Sequence, residues 1–357
     1  MNESLPRGLF LGLIAVIFVG PWVVSGELRA SQQEAHQRPA TLEKQHPYLK
    51  NLLDATAAQR RTILTGALDP ADEAGAGMDV LLYERLVRDG LANSDWSAAT
   101  TSGSEEAGGE HGTNGASLPE LLLLLDRVDR FQRDPLKALA EPDTTAANRA
   151  VETLVNGYFS DSSTSLASVP KDMAILEEGT AAGAFGQAYP RLHGLIWAHQ
   201  WLELALFEPL IRYYTPEKRQ GGVIAVVARF WSMLEEPPRS FPTQMPMAPT
   251  IARSLAVRHP QAAAILENRN MLYQAVTDIL AEESDPDPDK AIRSVLTRFQ
   301  DPSYRATSWY EWNRMAILHG IGNQGGWAFD IIPDPERTEA HLDHHGHGLH
   351  HGTMPGM

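Results

Sequence analysis

Residues 190–214 read Pro-Arg-Leu-His-Gly-Leu-Ile-Trp-Ala-His-Gln-Trp-Leu-Glu-Leu-Ala-Leu-Phe-Glu-Pro-Leu-Ile-Arg-Tyr-Tyr, and this stretch decides the fold class. It is the strongest apolar helix in the chain, opened by Pro190, a residue suited to a first helical turn. Pro216 begins the next helix, which ends by Pro237-Pro238. Further along, helices are expected over 260–283, 287–299 and 308–319, and the prolines at 246 and 249 break the connection before them.

Working back from residue 190, Pro170 to Glu178 suggests a short helix, and Asp143 can cap one running through Phe159. Ser117-Leu-Pro-Glu120 carries a helix start, with Glu three residues after Ser and Pro in the first turn. Its apolar positions continue from Leu121–Leu125 through Val128, Phe131 and Leu136. Leu49, Leu52, Leu53, Ile63, Leu64 and Leu68 repeat at three- and four-residue intervals, and Met78 to Leu91 is a second amphipathic stretch. Convincing period-two runs between turn residues are lacking, so the reading is an all-α bundle.

The N-terminus has a different character. After Arg7 comes an uninterrupted apolar run, residues 8–24, Gly-Leu-Phe-Leu-Gly-Leu-Ile-Ala-Val-Ile-Phe-Val-Gly-Pro-Trp-Val-Val. At about 1.5 Å rise per residue its length sits at the lower edge of a transmembrane helix. Ser25 and Gly26 can serve a signal-peptide cut. The length of the run and the interface-seeking Trp22 favour a retained anchor. The short leading segment favours an N-terminus inside and the bulk of the chain outside the cytoplasm, in the periplasm if the cell is bacterial.

The expected organisation follows: 1–26, membrane anchor or uncleaved signal; 27–45, a polar stalk; 46–92, a helical hairpin; 93–116, a polar loop too poor in apolar residues to fold. Residues 117–333 form the main helical domain and 334–357 a flexible His/Met-rich tail.

Composition excludes several functions. The chain has 357 residues, 43% of them apolar, which suffices for a core. Its net charge of −15 argues against nucleic acid, which needs clustered Lys and Arg. Cysteine is absent, which removes disulfides, thiolate metal sites, Cys-held clusters and cysteine nucleophiles.

The clearest chemical motif is the tail. His341, His344, His345, His347, His350 and His351 fall within eleven residues, followed by Met354 and Met357. Neutral imidazole suits copper, zinc and nickel, and thioether adds affinity for Cu(I). Gly346, Gly348 and Gly352 oppose a fixed helix, so such a tail would wrap an ion only on binding it. No cofactor is required by the sequence, and copper, zinc or nickel at the tail is the one candidate.

A weaker site lies inside the bundle. His199 and Glu203 are four residues apart and share a helical face, close enough to pair or to hold one ion. Trp312, Met315, Ala316 and His319 form a stripe on the last helix, so His199, Glu203 and His319 can meet if the two helices pack. The plainer expectation is buried histidine hydrogen-bonded to Glu, with tryptophans filling the core. Gly320-Ile-Gly-Asn-Gln-Gly325 matches a dinucleotide spacing but ends a helix rather than opening one, so it reads as a cap. Met245-Pro-Met247 reads as a packed loop. No catalytic constellation is visible.

These features point to a non-catalytic, membrane-tethered accessory or assembly subunit, with lipid met through residues 8–24 and membrane proteins as partners. A metal-buffering or metal-delivery role through the tail is the alternative.

Overall fold

The computed structural model describes residues 41–67, 75–87, 118–160, 164–235, 245–282 and 286–320. The apolar run 8–24, the loop 93–116 and the tail 334–357 lie outside the described residues. Among the described residues, no helix is long and apolar enough to cross a membrane.

The architecture is all-α, and the described residues contain no strand. The one sheet-like contact is an isolated antiparallel bridge between Lys171 and Ala306. The helices are α1 (Thr41–Gln45), α2 (Pro47–Thr62), α3 (Gly75–Arg85), α4 (Leu118–Leu139), α5 (Thr144–Tyr158), α6 (Ala184–Ala188) and α7 (Pro190–Ala205). They continue as α8 (Phe207–Arg212), α9 (Pro216–Glu235), α10 (Ala248–Ile251), α11 (Arg253–Arg258), α12 (Pro260–Ala281), α13 (Pro288–Gln300) and α14 (Trp309–Gly320). The short helix expected over 170–178 is a 3₁₀ turn, Met173–Glu177, capped by Asp172.

Two helices form the centre. Every residue of α7 from Gly194 to Ala205 is buried, and α12 is buried without a break from Ala262 to Tyr273. A helix covered on all sides needs neighbours on all sides. Around α7 these are α2, α3, α6, α9 and α10, while α4, α6, α11 and α13 surround α12. The outer helices are amphipathic, as in α4, which buries Leu121, Leu124, Leu125, Val128, Phe131 and Leu136.

The single helix expected over 190–214 is two. Pro209 has no N–H for the carbonyl of Ala205, and its ring crowds that carbonyl, so α7 stops at Ala205 and α8 begins at Phe207. Where α9 crosses α8, a Cβ on Gly222 would overlap Pro209, and only glycine allows the approach. Of the segment 27–45, residues 27–40 lie outside the described residues, while Thr41–Gln45 is helical and Leu42 is buried.

Some helix starts are capped locally. Asp143 accepts the amides of Thr145 and Ala146 at 2.9 and 3.0 Å, and Asp287 accepts that of Lys290 at 3.0 Å. Four others have no local side-chain cap and are closed by a carboxylate from a distant helix. Asp79 on α3 takes the Arg191 and Leu192 amides at the start of α7. Asp278 on α12 takes those of Gly183 and Phe185 at the start of α6. Glu208 on α8 takes Ser254, and Glu267 on α12 takes Ala248. Each bond satisfies an orphan N–H at the start of a helix, so these contacts fix how the helices are placed.

Candidate functional site

Glu203 occupies the middle of the core. Its side chain is 2% exposed and lies between two guanidiniums, Arg60 from α2 and Arg269 from α12. Arg269 Nη2 donates to Oε2 at 2.5 Å, while Arg60 Nη1 and the Thr56 hydroxyl donate to Oε1. Asp129 of α4 completes the cluster, because its Oδ1 accepts from Arg60 at 2.8 Å and from Arg269 at 3.0 Å. Gln132 Oε1 accepts from Arg269 at 2.6 Å, and the Tyr273 hydroxyl donates to the Arg60 carbonyl.

Two positive and two negative groups therefore cancel inside the protein. Burial pushes the Glu203 carboxyl up, but Arg269 and Arg60, with the bonds from Arg60 and Thr56, hold it below its ordinary range. Burial would also discharge Arg60, and Asp129 and Glu203 more than reverse that. Removing one member would strand a charge in a poor solvent. The cluster joins α2, α4, α7 and α12.

His199 behaves differently from the expected pair with Glu203. Both ring nitrogens are buried without a hydrogen-bond partner, and the ring sits 6.0 Å from that of Phe230. The partners of Glu203 are Arg60, Arg269 and Thr56, and the imidazole is not among them. Burial, and secondarily Arg60, hold His199 neutral with a pKa well below the usual value. The side chain of His319 lies outside the described residues, as do all the tail ligands. Among the described residues, no group of three His, Cys, Asp or Glu is placed to hold a metal ion.

No protein-family model, curated protein or solved structure matches this chain. The site is therefore read from its own chemistry. Met245 and Met247 are both buried, so their thioethers belong to the core, as a packed loop requires. A mostly apolar cavity of about 40 Å³ lies beside Glu178 and Asp278, and an open groove of about 330 Å³ runs between α5 and the α11–α12 junction, where His259 bonds Asn148 at 2.9 Å.

The most exposed apolar features of the last helix lie on its outer side. Trp312 and Ala316 are buried against the body, while Trp309, Tyr310 and Ile317 are 39, 73 and 61% exposed. Tyr310, Arg314 and Ile317 follow one another at helical spacing and form the outer face. Glu267, fully buried on α12, accepts the Trp312 indole N–H on one oxygen and the Ala248 amide, at 2.7 Å, on the other.

Arg60, Asp129, Arg269 and Glu267 carry the interior chemistry and escaped the sequence reading. A signal for them does exist. Arg60 is in phase with Leu49, Leu53, Thr56 and Ile63, and Arg269 with Ile265, Leu272 and Val276. A charge on an apolar stripe must find a buried partner.

Proposed function

We propose that the protein is a non-catalytic, membrane-tethered, extracytoplasmic accessory or assembly subunit of a membrane protein complex. The observation that carries this reading is the outer side of α14, where Tyr310 and Ile317 are exposed two turns apart with Arg314 between them and Trp309 is exposed at the helix start. Aromatic and aliphatic side chains grouped on a surface mark contact sites. The apolar run 8–24 supports the tether, which would raise the effective concentration of the domain near membrane partners. The interior carboxylates support a binding rather than a chemical role, since Asp79, Glu203, Glu208, Glu267 and Asp278 each accept hydrogen bonds that hold helices together.

Native mass spectrometry of the protein, gently extracted from its own membranes, tests the reading. Other subunits at fixed stoichiometry, lost in an Ile317→Asp variant that still folds, are the expected result. A lone chain refutes it.

A second reading is favoured by the six histidines and two methionines of residues 341–357. Under it the tail buffers or delivers copper, zinc or nickel, and deleting residues 341–357 sensitises cells to those ions. An unchanged tolerance removes the second reading.

A further inference from the structure

The last helix is thinly attached. Among its described side chains only Trp312 and Ala316 are buried, and α14 packs chiefly on the four-residue α10. Segments held by few buried contacts open first. Its polar anchor is Glu267, which joins α14 through the Trp312 indole and α10 through the Ala248 amide. One carboxylate thus sits at the joint between an edge helix and the body.

This carboxylate meets no cation among the described residues. The four residues of α10, Ala-Pro-Thr-Ile, bring no titratable group. On α14, Glu311 and Arg314 are exposed and pair with each other at 3.6 Å, and the His319 side chain is outside the described residues. On α12, Arg269 is turned to Glu203 and Asp129, and His259, the residue before the helix, bonds Asn148. On α7, Glu203 is held by its arginines and His199 is neutral. Lys171, which precedes the 3₁₀ turn, donates to the carbonyls of Asp301 and Tyr304.

We infer that α14 is a proton-linked latch, which closes over Glu267 as the carboxyl takes a proton from solvent and loosens as the proton returns to solvent. An ionised carboxylate without a counter-charge is costly to bury, whereas the neutral acid is much less so. Burial accordingly raises the Glu267 pKa from 4.5 to about 7, against the opposing effect of the Trp312 and Ala248 bonds. Once α14 lifts, water reaches Glu267 and its ordinary acidity returns. The docked form therefore holds the proton more tightly than the open form. Docking is strongest below the open-state value and weakens by up to about tenfold per pH unit until the docked-state value is passed. Loosening uncovers Trp312, Ala316 and the face of α10 beneath them. The inference is independent of whether α14 meets a partner.

Hydrogen exchange of the full chain between pH 5 and 8, corrected for intrinsic rates, tests it. Amides of residues 309–317 should lose up to about tenfold protection per pH unit between pH 5 and 7, while residues 262–273 of α12 hold theirs. A flat profile over 309–317, or equal loss in both segments, overturns the latch. Glu267→Gln, which is neutral at every pH, should abolish the slope, and an unaltered slope overturns the assignment to Glu267. Trp312→Phe removes an N–H that favours the ionised form and should move the transition to higher pH. If Glu267→Gln does not fold, an unmoved transition in Trp312→Phe decides against the proposal.

Discussion

Asp79 Oδ1 accepts the backbone N–H of Leu192 at 2.9 Å, although 113 residues separate the two in sequence. Its other oxygen takes the amide of Arg191 at 3.0 Å. Asp79→Ala should cost about 1–2 kcal/mol, the usual range for a lost helix cap. Asp79→Asn, which keeps one acceptor oxygen, should lose roughly half as much. Urea denaturation measures both, with a lowered midpoint and an unchanged slope expected.

The four-charge cluster predicts strong coupling. Arg269→Met leaves Glu203 with Arg60 alone and should destabilise the protein by about 3–5 kcal/mol. Adding Glu203→Gln leaves Arg60 and Asp129 as a balanced pair. The double variant should then be more stable than the sum of the single losses implies, by about 1–3 kcal/mol. Simple additivity in denaturant melts would show that the four groups do not act as a unit.

His199 predicts a pH dependence of the opposite sense to Glu267. Its folded pKa lies below the ordinary 6.5, so the unfolded chain takes up a proton that the folded chain refuses. The stability tied to the neutral ring is complete above pH 6.5 and is lost as pH falls below it. His199→Leu removes that penalty. The variant should gain on the natural chain by up to about 1.4 kcal/mol per pH unit below 6.5, measured by denaturation at pH 7, 6 and 5. A constant difference across that range would mean that His199 does not titrate on unfolding.

Much of the fold was legible because helix punctuation is local. Pro190, Pro216 and Pro260 each open a helix, and Asp143 and Asp287 cap theirs, as their positions predict. Local signals could not show the break after Ala205, which depends on how Pro209 weighs against a strongly apolar run. They could show nothing of the remote caps at α6, α7, α10 and α11, because those donors and acceptors meet only in the folded chain. The His199–Glu203 spacing was real, but two arginines from distant helices outcompete a neutral imidazole for a buried carboxylate. The exposed side of α14 was readable in part: the pattern placed Trp312 and Ala316 on one stripe, both of which the body covers.

The tail predicts a separable property. Deleting residues 341–357 should leave the melting temperature and far-ultraviolet circular dichroism of the domain unchanged. Calorimetric titration with copper, zinc or nickel should lose its binding signal in the same variant, and the signal of the full chain should weaken below about pH 6 as the imidazoles are protonated. Undiminished binding after the deletion would move the metal ligands elsewhere in the chain.

The remote caps also govern when the chain can finish folding. A ribosome that has delivered residues up to 235 has already exposed α7, whose buried run reaches Ala205, yet it has released neither Glu267 nor Asp278. At about 5–20 residues per second, the first turn of α6 remains open for seconds while an apolar helix waits uncovered. The arrival of α12 is thus the step that closes the centre, since this helix supplies both a core surface and two of the four missing caps, and α13 and α14 can dock only after it. Until then the buried run of α7 has no cover from α12 and the nascent chain stays loose.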